Sequence, residues 1–250
     1  MNSATVRGLL VRGMLAGLAA GVLALIVAYF LGEPSVDKAI GFEDVHAHEH
    51  ETEVVSRSLQ STAGLATGVL VYGVAFGGIA ALACCFALGR VGRFGPRATA
   101  LLLSGCALVA VYVVPFLKYP ANPPSVGDSD TIGRRTALYF LMMLLSVLLA
   151  LAATVLGRRL APRLGTWYAT VVAVAAFALV IGLAYAFLPV VDEVPAGFPA
   201  ALLWRFRLSA LAVQAVLWGG FGLLFGELAE RLLNPRPGAT ASAEAVPAAR

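Results

Sequence analysis

Residues 136–156 read Thr-Ala-Leu-Tyr-Phe-Leu-Met-Met-Leu-Leu-Ser-Val-Leu-Leu-Ala-Leu-Ala-Ala-Thr-Val-Leu, with no charged side chain between Arg135 and Arg158. A helix needs about 20 predominantly apolar residues to cross the hydrocarbon of a bilayer, and this stretch supplies them without interruption. Five more runs of the same kind lie to either side, at about 9–31, 64–88, 98–117, 167–188 and 208–233. Each exceeds the core of a signal peptide, about 7–15 residues. No small-x-small cleavage pattern follows the first run, where Leu31-Gly32-Glu33-Pro34 comes directly. The expected fold is an all-α membrane protein, a bundle of six transmembrane helices in a single polytopic domain over 1–234.

Composition agrees with lipid as the solvent. The 250-residue chain is 60% hydrophobic and 13% charged, with a mean hydropathy of +0.85. A soluble domain is about 45–50% apolar and about 25% charged, and a chain this apolar cannot cover a core with polar surface. Gly73, Gly77 and Gly78, and Gly219, Gly220, Gly222 and Gly226, are read as close helix packing, since small residues let helices approach in lipid.

The connections give an orientation. The N-terminal segment, the connections near 90 and 160 and the C-terminal end hold eleven basic and three acidic residues, net +8. The other three connections hold seven basic and eleven acidic residues, net −4. Lys and Arg accumulate on the cytoplasmic side, so both termini are expected there. Residues 235–250, rich in Pro, Ala, Gly and Ser, are expected to form a disordered cytoplasmic tail.

Several chemistries are absent. Cys84, Cys85 and Cys106 sit within apolar runs, and one is left over after any pairing, so they read as small core hydrophobes. The Gly-Arg-Val-Gly-Arg-Phe-Gly stretch at 89–95 lacks the Lys-Ser/Thr of a phosphate-binding loop and follows a membrane helix. There is no His-Glu-x-x-His and no nucleophile elbow. The chain is therefore not expected to be an enzyme, to keep a permanently bound cofactor or to bind nucleic acid.

The first connection on the acidic side, 32–61, holds every histidine: His46-Ala47-His48-Glu49-His50-Glu51, preceded by Glu43 and Asp44. Imidazole and carboxylate are ligands for cobalt, nickel, zinc and copper. Alternate spacing in an extended segment puts the three imidazoles on one side, and neighbouring carboxylates draw cations in. The tract reads as metal-binding, with a merely solvated acidic loop as the alternative. It does not choose among metals.

Glu33, Asp37, Asn122, Asp128, Asp130 and Glu193 lie in the same set of connections and are candidates to line a vestibule on the way in. The alternatives are structural. Asp130 or Thr131 can cap the following helix, and Glu193 can pair with Arg205 or Arg207. Trp204 and Phe206 suit headgroup depth.

Several segments together resemble the CbtA family, described as a predicted cobalt transporter subunit of bacteria. They are Gly32-Glu33-Pro34-Ser35-Val36-Asp37-Lys38-Ala39-Ile40 with the His/acid tract, Val-Pro-Phe-Leu-Lys-Tyr-Pro-Ala-Asn-Pro-Pro-Ser-Val-Gly-Asp at 114–128, Asp-Thr-Ile-Gly-Arg-Arg-Thr at 130–136, Glu-Val-Pro-Ala-Gly-Phe-Pro at 193–199 and Leu-Leu-Trp-Arg-Phe-Arg-Leu at 202–208. The resemblance implies a bacterial protein, and so a multi-pass protein of the inner membrane; the charge distribution puts the His loop on its periplasmic side. The resemblance also implies Co²⁺ as the transported ion and a small single-span CbtB-like subunit with a His-bearing end as partner. Its members are often drawn with five spans, against the six read here. The alternatives left open are a metal-binding accessory protein without its own pore, and an importer of nickel or zinc.

Overall fold

A computed structural model describes residues 2–46, 55–92, 94–127 and 130–235, apart from the side chains of 44–46. All the regular structure among these residues is helical. Helix α1 (Ser3–Val27) passes through a π-helical turn (Ala28–Gly32) into α2 (Glu33–His46). A short α3 (Arg57–Leu59) and a π-helical turn (Gln60–Gly64) lead into α4 (Leu65–Ala87). Helix α5 (Pro96–Ala107) continues through a third π-helical turn (Leu108–Val113) into α6 (Val114–Lys118). The chain ends with α7 (Ile132–Phe187) and α8 (Ala200–Leu233).

Five helical stretches are long and apolar enough to cross a membrane: Ser3–Glu43, Arg57–Ala87, Pro96–Lys118, Ile132–Phe187 and Ala200–Leu233. This differs from the expected six because residues 136–156 and 167–188 fall within one 56-residue element. Helix α7 is not straight. Gly165 leaves helical geometry at φ 76°, a conformation glycine adopts without a Cβ clash, and Pro162 lies just before it. A Cβ on Gly157 meets Ala173 at 3.4 Å. Sixteen positions of straight helix span about 24 Å, so the two arms run back along one another. Met142 on the first arm accordingly packs with Ile181 and Ala184 on the second. Trp167 and Tyr168, just past the bend, are largely exposed, as aromatic side chains at a membrane–water boundary are.

The expected outer loop 32–61 also differs, since α2 is helical through His46 and helix resumes at Arg57. Two of the π-helical turns have a local cause. Pro34 and Pro115 each lie just beyond one, where a proline ring clashes with the carbonyl four residues back. A wider turn relieves that clash without ending the helix.

The chain divides into two compact units, described separately. The first comprises Met1–Ile26, Ser58–Gly105 and Ala215–Arg250. Here α1 and α4 meet backbone to backbone. A Cβ on Gly73 falls 2.7 Å from Gly17 O, and one on Gly77 falls 2.8 Å from Gly17 Cα. Gly220 and Gly222 of α8 lie against Ala20 and Ser104 respectively, and Phe76 packs edge-on against Trp218 and Phe221. At one end Glu227 pairs with Arg97 and Arg231, each at 2.8 Å. Arg12 Nη1 donates to Leu228 O at 3.1 Å.

The second unit comprises Val27–Arg57 and Cys106–Gln214. Its connections are built from two similar turns. In 123–126 the Val126 amide donates to Pro123 O, and in 195–198 the Phe198 amide donates to Pro195 O, both at 3.2 Å. Each has a positive φ at its third residue, Ser125 at 64° and Gly197 at 87°, as type II turns require. Serine is an unusual occupant there, and its hydroxyl donates to Ala39 O at 3.1 Å. The two turns deliver Val126 and Phe198 into one buried cluster with Ala39 and Leu202.

Gly17→Val is expected to lower detergent-solubilised stability by about 1–3 kcal/mol, the usual cost of overpacking. Gly219→Ala, which meets nothing within 4 Å, is expected to stay within about 0.5 kcal/mol of the parent. Thermal unfolding followed by circular dichroism measures both.

Candidate functional site

The second unit carries the described polar groups proposed for metal handling, and they form two clusters. The first is at the base of the histidine-bearing segment. Glu33 and Asp37 lie one helical turn apart on α2, so their side chains share a face. Arg57, beyond the segment, donates to Glu33 through Nη2 and to Asp37 Oδ1 through Nε at 3.0 Å. This ion pair joins the two ends of 38–56. Glu43, near the end of α2, is exposed. His48, Glu49, His50, Glu51 and Asp128, and the side chains of Asp44 and His46, lie outside the described residues.

The second cluster is organised by Glu193, whose side chain is 2% exposed. A buried carboxylate has to be paired and hydrogen-bonded. Glu193 Oε1 accepts from Thr131 Oγ1 at 2.5 Å, and Oε2 accepts from Arg135 Nη1 at 3.2 Å and Asn122 Nδ2 at 3.4 Å. Arg135 also donates to Pro120 O. Arg207 donates to Asn122 Oδ1 at 3.1 Å, so the cluster holds two guanidinium groups around one fully buried carboxylate.

Glu193 thus pairs with Arg135, rather than with Arg205 or Arg207, the partners weighed as the alternative to a vestibule role. Thr131 occupies the N-cap position of α7 without a side-chain capping bond, its hydroxyl being turned to Glu193. Asp130 is exposed beside it. The structure brings Asn122 to Glu193 and Asp37 to Glu33, each pair in the company of an arginine.

A third set of contacts was not foreseen. Lys118 Nζ donates to Tyr185 O and Tyr119 Oη to Pro189 O, both at 2.8 Å, and Tyr185 Oη donates to Val114 O. The end of α7 leaves carbonyls without helical partners, and a cation there is also favoured by the helix dipole. Burial pushes the Tyr119 phenol above its ordinary value, with Arg134 opposing, which suits a donor. The only sequence signal was Lys-Tyr directly after an apolar run.

Among the described residues no group of three or more His, Cys, Asp and Glu side chains is placed to hold a metal ion. Cys84, Cys85 and Cys106 are free thiols. Ser146 Oγ is a buried side-chain oxygen with no hydrogen-bond partner among the described residues. A lone hydroxyl cannot replace the hydration shell of a divalent ion.

Removing one partner of a buried ion pair costs about 3–5 kcal/mol. Arg135→Met is therefore expected to destabilise the protein by that order, and Arg135→Met/Glu193→Met by markedly less. Thermal unfolding of the three proteins in one detergent measures the coupling.

A model of the family described as "Probable cobalt transporter subunit (CbtA)" matches residues 6–230. No curated protein and no solved structure matches the chain. The match covers both units and most of the chain, so this multi-pass membrane protein belongs to the CbtA family of probable cobalt transporter subunits.

Proposed function

We propose that the chain imports Co²⁺ across a bacterial inner membrane. The ion is captured on the periplasmic side by His46, His48 and His50 with Glu43, Asp44, Glu49 and Glu51. The observation that carries this reading is the Arg57 bridge to Glu33 and Asp37. It ties off the base of the segment that holds every imidazole in the chain. The helical residues on either side of the tract are thereby held together. The metal is cargo in this reading, and no resident cofactor or catalytic step is involved.

Six crossings with both ends in the cytoplasm suit this arrangement. The antiparallel arms of α7 support counting that element twice. Exposed Arg158, Arg159 and Arg163 near its bend fit the cytoplasmic side by the distribution of basic residues. A small single-span CbtB-like subunit is the proposed partner, in keeping with the subunit status of the family.

One observation favours a second reading, a metal-binding accessory that loads another permease. Glu33, Asp37 and Glu193 are each engaged by an arginine, and no ligand group is assembled among the described residues. An ion that sheds its hydration shell needs polar groups along its route. The vestibule reading of Glu33, Asp37, Asn122, Asp128, Asp130 and Glu193 then requires those pairs to open during transport. A nickel or zinc importer would use the same tract, because imidazole and carboxylate do not select cobalt.

Radiocobalt uptake at limiting external metal by cells carrying His46→Ala/His48→Ala/His50→Ala is expected to fall at least about five-fold, recovering at high metal. Unchanged uptake at limiting metal removes the capture role. Liposomes holding this chain alone separate the two readings. Cobalt flux, competed or not by nickel and zinc, supports an importer with its own path, whereas binding without flux supports the accessory. Labelling of Leu164→Cys from the cytoplasmic side tests the orientation, and labelling only from the periplasm overturns it.

A further inference from the structure

A groove of about 580 Å³, lined by none of the residues of the two clusters, runs between α2 and the first turns of α8. It is lined by Lys38, Gly41 and Phe42 on one side and by Pro199, Ala201, Leu202 and Arg205 on the other. Its floor is apolar. Leu202 is buried, and the Phe42 ring stands edge-on to buried Phe198 at 5.1 Å. Among the described residues, the charged side chains that line it are both cationic. Lys38 and Arg205 are both exposed and form no ion pair with a described residue, although Arg57 and Arg135 of the same unit are paired. Among the described residues no acidic side chain lines the groove, and the first turn of α8, which opens onto it, contains none.

The place of the groove along α8 suits a membrane boundary. Helix α8 has 34 residues, about 51 Å at 1.5 Å per residue. The hydrocarbon core is about 30 Å thick, so α8 extends beyond it. Trp204, beside Arg205, is 62% exposed, as expected of an indole in the headgroup layer.

We propose that this groove binds an anionic glycerophospholipid. Its phosphate is held by Lys38 and Arg205, and the start of an acyl chain lies along Phe42, Pro199 and Leu202. The charge pattern selects this occupant. A zwitterionic lipid brings its own ammonium toward two cations, and a free inorganic anion gains nothing from the apolar floor. The bound lipid joins α2 to α8 immediately before the segment that carries the histidines. The inference needs the chain to sit in a bilayer and is independent of which ion, if any, it carries.

Native mass spectrometry of the full chain in mild detergent tests this, using phosphatidylglycerol and phosphatidylcholine of identical acyl chains. The expected result is one retained phosphatidylglycerol per chain and a raised melting temperature that phosphatidylcholine does not produce. Lys38→Gln/Arg205→Gln is expected to reduce adduct occupancy at least about five-fold. Arg158→Gln/Arg159→Gln, which removes two cations elsewhere, is expected to leave it unchanged. Ala201→Trp obstructs the groove while keeping both cations and is expected to lose the adduct as well, so the test does not rest on the charge variant folding. Four outcomes overturn the proposal. They are equal retention of phosphatidylcholine, undiminished adducts in both groove variants, displacement by millimolar inorganic phosphate, and no lipid-dependent adduct at all. The last is what a groove filled by the chain's own acidic residues at 49–53 would give.

Discussion

A carboxylate that is 2% exposed must be neutralised by whatever packs around it, and much of the second unit is arranged to do this for Glu193. The partners come from three places in the chain. Asn122 stands in the Pro-rich connection after α6, Thr131 and Arg135 at the start of α7, and Glu193 itself in the connection before α8. Arg207 extends the network through Asn122 into α8. Two irregular connections, with few backbone hydrogen bonds of their own, are thereby pinned to helix ends. The proline turns at 123–126 and 195–198 do the complementary apolar work by burying Val126 and Phe198 together. The arrangement is polar on one side and apolar on the other, and both halves use residues that are distant in sequence.

The hydrocarbon imposes a different requirement. There the backbone must satisfy itself within each helix, and helices gain little by hiding apolar surface from lipid that is equally apolar. Close approach takes over. Gly17 against Gly73 and Gly77 brings α1 and α4 so near that a single Cβ has no space. Polar side chains at span ends then bond to carbonyls that the helix geometry leaves free, as Lys118 does with Tyr185. Proline in such helices is accommodated by a wider turn rather than by a break, as before Pro34 and Pro115.

These two regimes explain what could be read from the sequence. The apolar runs were legible because spanning length is a property of one contiguous segment. Glycine packing was legible as a tendency, although only the fold distinguishes Gly220, where a Cβ would meet Ala20, from Gly219, where a Cβ would meet nothing within 4 Å. The continuation of the first span to His46 was not legible, because residues 33–46 are polar enough to resemble a loop and the helix there rests on Ala39 packing against Val126 and Phe198. The bend of α7 was visible as the Arg-rich, Pro- and Gly-containing stretch 157–166, but the single residue at which helical geometry breaks, Gly165, was not. Among site residues, Glu193 reads as a vestibule candidate with Arg205 or Arg207 as alternative partners. That Arg135 takes this place was not legible, because the three arginines are equivalent by composition and are separated only by the fold.

The pairing of described acids with arginines bears on where a divalent cation is first attracted. The net −4 of the acidic-side connections suggests a diffuse negative surface, yet Glu33, Asp37 and Glu193 contribute little to it once Arg57 and Arg135 are counted. In the sequence, acids without an intervening Lys or Arg are concentrated instead at 43–53, which holds Glu43, Asp44, Glu49, Glu51 and Glu53. An attraction of this kind is long-ranged and screened over about 8–10 Å in physiological salt, so it acts on ions that come near that segment and weakly elsewhere. The same eleven residues carry the three imidazoles. On the reading proposed above, collection and ligation are therefore one local event in a short segment, while the arginine-bound carboxylates hold the frame on which that segment is mounted.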